Sequence, residues 1–198
     1  MPDEKVRILD QEVISDIHFP LKKVTFEQRR RDGNLQTLTR EVYDSASGAA
    51  VLLYDRAHRS VVLTRQFRIG ARLAGRDGFL LEAAACMLDD TAPDARVRAE
   101  SLEETGYAPT RLEHAMTVFA SPGNTTEQVH LFVGEIERGR KHAPGGGNVE
   151  EGEDIEVVEL DFDDALAMIE TGAIEDAKTV LLLLYLERNV LGRHGEAS

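Results

Sequence analysis

Three glutamates, Glu100, Glu103 and Glu104, fall within the stretch AESLEETGY. On an α-helix, at about 100° per residue, Glu103 lies roughly −60° and Glu104 roughly +40° from Glu100, so the three carboxylates share one arc. Like charges at i, i+3 and i+4 weaken a helix by a few tenths of a kcal/mol per pair, and by more when partly buried. A hard divalent cation with oxygen ligands, Mg²⁺ above all, offsets that repulsion, because carboxylates project rigidly enough from a helix for near-octahedral geometry. A second acidic group, NVEEGEDIEV, carries five acids within residues 150–156. Arg68 ends the strand-like RQFR, where its guanidinium fork can hold a phosphate bidentately. Lys178 opens a helical segment against the helix dipole, which favours a ligand-facing role.

The elements that must position these groups can be read from periodicity. LKKVTFEQ and LQTLTREVY flank the turn at residues 31–34, where Asp32-Gly33 supplies a positive φ. AAVLLYD and SVVLTRQF flank a second turn at residues 56–59 and are more apolar, as strands covered on both faces are. From Pro93 the period becomes helical, with Ala95, Ala99 and Leu102 on one side, Pro93 in the first turn and Gly106 at the end. HAMTVFAS and QVHLFVGEIE follow as strands around the Ser121-Pro122-Gly123-Asn124 turn. A polar loop with Gly145, Gly146 and Gly147 leads to the strand IEVVELDF, the helix FDDALAMIETG and a longer buried helix AKTVLLLLYLERNVL. Strands and helices without regular βαβ alternation predict an α+β sandwich. The expected division is a β unit at residues 1–47 and a main domain at 48–198.

The chain has 198 residues, with 23 Lys+Arg against 36 Asp+Glu and a net charge of −13. That length buries a self-sufficient core. Its negative charge argues against nucleic-acid binding and requires cations or a local arginine pocket to bring in an anionic substrate. The single cysteine, Cys86, rules out an internal disulfide or a CxxC pair and fits a reducing cytoplasm. The start MPDEKVRILD lacks a signal-peptide pattern, and the apolar run at residues 180–186 is about a third of a membrane span, so neither secretion nor a membrane segment is expected. P-loop, GxGxxG and HExxH motifs are absent.

AESLEETGY resembles the second half of the Nudix signature, R-E-U-x-E-E-x-G-U with U a bulky aliphatic, matching at Glu100, Glu103, Glu104, Gly106 and Tyr107. LLEAAACML is similar to the family's entry to that loop and helix. SPGNTTE, at residues 121–127, is similar to an element of the nucleoside-diphosphate-sugar pyrophosphatases. With RQFR, REVYD, GEDIEV and AKTVLLL, the pattern resembles the GDP-mannose pyrophosphatase branch most closely and the ADP-ribose pyrophosphatases next. Three positions depart most from the signature, with Ser101 in place of the bulky aliphatic after Glu100 a smaller departure. The opening glycine is Cys86 or Ala85, the early glutamate falls at Thr91 or Ala92, and the arginine that braces the glutamates is Ala99, with Arg98 a partial substitute. A residue lacking glycine's freedom at the opening position is expected to strain the loop by on the order of 1 kcal/mol.

The resemblance implies a Nudix fold, an α/β/α sandwich with a mixed sheet and an N-terminal β-hairpin unit. It implies that Glu100, Glu104 and the Ala85 carbonyl bind Mg²⁺, with Mn²⁺ as a substitute, that Glu103 supports them, and that Glu153 is a further ligand and Glu151 the base. Arg68, Glu127 and Lys178 are the implied substrate-binding residues, joined by His18, Arg40 and Glu41 from the N-terminal unit across a homodimer interface. The implied reaction is Mg²⁺-dependent hydrolysis of a nucleoside diphosphate sugar, GDP-mannose before ADP-ribose, to a nucleoside monophosphate and a sugar phosphate. The alternative is a Nudix domain that binds a nucleotide sugar as a sensor without turning it over; Ala99 and Cys86 support it, and the retained acids oppose it.

Overall fold

A computed structural model describes residues 5–89 and 91–192, except for the side chain of Glu151. The chain divides into two compact units, Met1–Ser47 with Phe119–Gln128, and Gly48–Val118 with Val129–Ser198. The first therefore also takes in the Ser-Pro-Gly segment, which the sequence assigned to the main domain.

The first unit is a three-stranded antiparallel sheet of β1 (Val6–Asp16), β2 (Pro20–Arg29) and β3 (Leu35–Tyr43). The β2–β3 hairpin turns at Gly33, whose φ of 87° is open to glycine at little cost. Strand β1 was not anticipated. Its sequence, VRILDQEVISD, alternates poorly, and two register shifts against β2 break the side-chain period.

The second unit runs β4 (Gly48–Asp55), β5 (Ser60–Phe67), α1 (Ile69–Leu73), β6 (Phe79–Glu82), β7 (Ala84–Met87), α2 (Pro93–Thr105), β8 (Arg111–Phe119) and β9 (Gln128–Glu135). It continues through a 3₁₀ turn at Val149–Glu151 to β10 (Glu156–Asp161), α3 (Phe162–Glu170), α4 (Ala177–Leu186) and a wider π-type turn at Glu187–Leu191. The sheet order is β10-β5-β4-β9-β8, with β4 and β9 parallel, so the sheet is mixed. Strand β4 is buried along its whole length. One face packs Leu52, Val61, Leu63 and Leu131 against Phe162, Ala165, Leu182 and Leu186 of α3 and α4. The other packs Val51, Leu53 and Phe132 against Val97 of α2 and Tyr107. This is the α/β/α layering expected from the sequence, and among the described residues no helix is long and apolar enough to cross a membrane.

The sheet splits where the sequence placed only the entry to a helix. Strand β5 pairs with β4 at Leu53–Val62 but then takes β6 as its neighbour, while β7 pairs with the first half of β4. Ala83 stands at the fork, and its N–H donates to the buried Thr179 hydroxyl of α4 at 2.7 Å. Ala85 and Cys86 are paired strand residues of β7 opposite Ala50 and Ala49, and neither has a positive φ. The strain expected from losing the signature's opening glycine is therefore absent.

Helix α2 has the expected ends: Pro93 lies in its first turn, and Gly106 caps it at φ 79°, its N–H donating to Leu102 O. A side chain at Gly106 would collide with the carbonyl of Ala143. The buried face is the opposite of the one predicted. Ala95 and Ala99 are exposed, whereas Val97, Glu100, Ser101, Glu104 and Thr105 are buried.

Asp55 holds the turn between β4 and β5. Its carboxylate accepts from His58 N (2.9 Å), His58 Nδ1 (3.0 Å) and Arg138 N (2.6 Å). Burial opposes its charge, but the bonds from Arg138 and His58 prevail and bring its pKa to about 2. A depressed carboxyl stabilises the fold above its unfolded pKa, near 4, and that contribution fades as pH falls toward 2. Asp55→Asn is expected to lose roughly 2 kcal/mol at pH 7. In urea titrations the gap from wild type should narrow as pH drops from about 4 toward 2.

Candidate functional site

Two carboxylates of α2 face the protein interior. Glu104 is 1% exposed and Glu100 5%. The Ala85 N–H of β7 donates to Glu104 Oε2 at 3.3 Å, so the strand that replaces the expected loop contacts the helix at this point. Glu100 pairs with Arg96, one turn earlier, with Nη1 at 2.7 Å from Oε2. Arg98, the expected stand-in for the missing signature arginine, instead donates to the Pro109 carbonyl at 2.9 Å. Arg96 was missed, although its i, i+4 spacing to Glu100 is legible in the sequence.

Glu153 approaches from the loop before β10. Ligand atoms of Glu100, Glu104 and Glu153 lie within 4.8 Å of one another. The glycines that the sequence showed only as a polar loop fasten this segment to the end of α2. Gly146 N donates to Glu104 O (2.8 Å) and Gly147 N to Glu103 O (3.3 Å), while Asn148 N donates to Glu153 Oε2 (2.8 Å). Gly147 has φ 77°, and a Cβ there would press on the Glu153 carboxylate and the Ile155 side chain, so glycine is required for both conformation and space.

Burial pushes the Glu104 carboxyl up to about 8, and the charges of Glu100 and Glu153 push the same way; the Ala85 N–H and Arg68 only partly oppose them. Three carboxylates, two of them buried, make an all-oxygen donor set of the kind a hard divalent cation prefers. Burial, with a further contribution from Glu100, pushes the Cys86 thiol up to about 12, so it stays protonated beside this cluster.

Arg68 lies just past β5, its Nε and Nη2 gripping Glu82, which is 2% exposed, at 2.6–3.1 Å. Glu82 lies in the LLEAAACML stretch, where no local sequence rule marks it as the partner of Arg68. Lys178 is not unopposed at the start of α4. Asp176 caps that helix through Thr179 N and also takes the lysine ammonium at 2.6 Å, which removes the dipole mismatch.

The remaining sequence candidates fall elsewhere. Glu103 is exposed and outside the carboxylate cluster. Glu151 lies in the turn at Val149–Glu151, and its side chain is outside the described residues. His18, Arg40, Glu41 and Glu127 belong to the first unit. There His18 meets the Phe19 ring edge-on, and Arg40 and Glu41 are successive exposed residues of β3, on opposite faces of the strand. The Glu127 N–H donates to the Thr125 hydroxyl at 3.0 Å.

Residues 5–43 match the model of the GDP-mannose pyrophosphatase NudK N-terminal domain. The chain is 44% identical over 183 residues to a GDP-mannose pyrophosphatase of Cronobacter sakazakii, covering 92% of this chain and 95% of that protein. It is 43% identical over 189 residues to the GDP-mannose pyrophosphatase of Citrobacter koseri, covering 95% and 98%. The fold is similar to that of a crystal structure of an ADP compounds hydrolase, with a TM-score of 0.71 and 15% identity over 93% of this chain and 94% of that one. Identity at this level over nearly the full length of both chains, together with the shared fold, makes this protein a member of the GDP-mannose pyrophosphatase family of Nudix hydrolases.

Proposed function

We propose that the chain is a Mg²⁺-dependent pyrophosphatase that hydrolyses a nucleoside diphosphate sugar, GDP-mannose first and ADP-ribose next, to a nucleoside monophosphate and a sugar phosphate. The observation that carries this reading is the convergence of the buried Glu100 and Glu104 with Glu153 within 4.8 Å, in a chain whose relatives are GDP-mannose pyrophosphatases.

In this reading Glu100, Glu104, Glu153 and the Ala85 carbonyl hold Mg²⁺, with Mn²⁺ as a substitute. When bound, the metal neutralises the diphosphate and favours in-line attack by water. Glu151 takes the proton of that water, and Glu103 supports the ligand set from the same helix. Arg68 binds a phosphate, its fork set by Glu82, and Lys178 adds positive charge at the start of α4. Glu127 binds the sugar. The β unit at residues 1–47 mediates a homodimer and brings His18, Arg40 and Glu41 to the partner's substrate, while residues 48–198 carry the chemistry. The enzyme acts in the cytoplasm on a small molecule and binds neither nucleic acid nor membrane.

Turnover of a panel of nucleotide sugars and dinucleoside polyphosphates with Mg²⁺, read as phosphate release through a coupled phosphatase, tests the reading. One nucleotide sugar should be cleaved, and Glu104→Gln should abolish its cleavage while the protein stays folded. Failure of well-folded wild type on every substrate would shift the assignment to the non-hydrolysing sensor.

The raised Glu104 pKa sets a pH dependence in the metal-free protein. Between about 4.5 and about 8 the native state keeps a proton that the unfolded chain has lost. Metal-free stability from this group should therefore fall as pH rises across that window. Glu104→Gln should remove the decline, which thermal melts in EDTA at pH 6 and pH 9 would show.

Arg96 compensates for Ala99 by holding Glu100. Arg96→Ala should weaken Mn²⁺ binding and lower kcat/KM by roughly tenfold, the loss of one charge-assisted hydrogen bond. Adding Ala99→Arg to that variant should recover much of both. No change in Mn²⁺ affinity on Arg96→Ala would show that the pair plays no part in the site.

A further inference from the structure

Outside the carboxylate cluster, two histidines meet at the edge of the second unit's sheet, where β8 lies beside β9. The Thr117 hydroxyl of β8 is 3.0 Å from Nε2 of His114 on the same strand and 3.1 Å from Nδ1 of His130 on β9. His114 and Thr117 are exposed and His130 is half-buried, so a small ion can reach the group from solvent. The His114 ring also meets the buried Phe132 ring edge-on, with centroids 5.2 Å apart.

Regular alternation would not bring these residues together. Residues three apart on a strand point to opposite faces, yet His114 and Thr117 share one. Between them Ala115 and Met116 both pack against the cluster of Leu52, Leu131 and Phe162, on the other face of the sheet. Phe132, which the His114 ring meets, belongs to the cluster with Val97 on the α2 face. Two successive residues turned the same way mark a bulge, a device that re-aims side chains at sheet edges. Here it sets His114 Nε2, Thr117 Oγ1 and His130 Nδ1 side by side.

A threonine hydroxyl carries one proton and two lone pairs, so it can donate to one imidazole while accepting from the other. Two neutral imidazoles satisfy that arrangement, and neutral imidazole is the form that binds metal. Neighbouring ligands at right angles around an ion with bonds of about 2.1 Å stand about 3.0 Å apart, which is the spacing of the hydroxyl from each nitrogen. The two histidine centroids are 6.2 Å apart, so both rings reach one tetrahedral ion after a movement of about 1 Å, which the exposed His114 side chain can make.

We infer that His114 Nε2 and His130 Nδ1, with the Thr117 hydroxyl between them, form a metal site separate from the carboxylate cluster, one that takes a borderline divalent cation of the Zn²⁺ or Ni²⁺ class. Imidazole nitrogens favour such ions, whereas the all-oxygen set of Glu100, Glu104 and Glu153 suits a hard one, so the two groups select different metals. The net charge of −13 draws cations to both.

The test is a Zn²⁺ titration of the full chain in excess Mg²⁺, followed through the imidazole nitrogens in ¹H–¹⁵N spectra. The His114 and His130 ring signals should shift together and reach a plateau at one ion per pair, while that of His18 stays in place. His114→Gln and His130→Gln, both at positions open to solvent, should each weaken Zn²⁺ binding at the remaining imidazole by roughly tenfold or more, since even the outer partners of metal ligands are worth that much. Their metal-free thermal midpoints should match wild type. His114 and His130 signals that Zn²⁺ leaves unmoved in wild type would overturn the inference without recourse to any variant. So would an affinity at His130 unchanged by His114→Gln, which would show each imidazole binding alone.

Discussion

The second unit is organised around the burial of two like charges on one helix. Glu100 and Glu104 sit one turn apart on α2 with their carboxylates against the sheet, a position that costs the fold unless positive charge or donors meet them. The surrounding structure supplies such groups: Arg96 on the same helix, the Ala85 N–H from β7, and Arg68 within electrostatic reach. They do not suffice, since Glu104 is still driven to about 8. A carboxyl so displaced, beside two other acids, marks a place where the fold gives up stability.

That constraint also explains the shape of the sheet. Had β5 stayed paired with β4 throughout, β7 would have had no place beside β4, and the Ala85 N–H could not have reached α2. The fork at Ala83 lets β6 carry Glu82 on the β5 side and β7 carry Ala85 on the β4 side. A fork leaves a backbone donor unpaired, and Thr179 of α4 takes it. Asp176 then fixes Thr179 through its hydroxyl and N–H while holding Lys178. The opposite helical layer is thereby tied to the strands that carry the site.

Much of this was legible in the sequence because it obeys local rules. The hairpin turns, the ends of α2 and the strand β10 all carry turn or cap residues where the chain needs them. The buried face of α2 was not legible from apolar spacing, for a physical reason. Periodicity reading assumes that the inward face is the apolar one, and here that face carries Glu100, Ser101, Glu104 and Thr105, while Ala95 and Ala99 face solvent. The short strands β6 and β7 were hidden likewise: LLEAAACM has neither strict alternation nor a turn between them, and only tertiary pairing with β5 and β4 makes it two strands. The signature motif placed Glu100 and Glu104, but that Arg96 rather than Arg98 restrains Glu100 follows from a one-turn helical offset that motif matching does not weigh.

The site is assembled from parts of unequal rigidity in sequence terms. Glu100 and Glu104 are fixed by a helix, and their partner Ala85 by a strand. Glu153 comes from a loop whose path depends on successive glycines at positive φ, bonded to the carbonyls at the end of α2. Those carbonyls have no acceptor role left inside the helix, so the loop satisfies them as it brings in the third carboxylate. The helix C-terminus, the glycines and Glu153 therefore form one coupled unit. A side chain at Gly147 would displace the Glu153 carboxylate directly, whereas one at Gly106 would first push away the segment at Ala143 that leads into the loop. Both changes would act on the third carboxylate while leaving Glu100 and Glu104 in place, which is why the glycines belong with the cluster although none of them carries a reactive group.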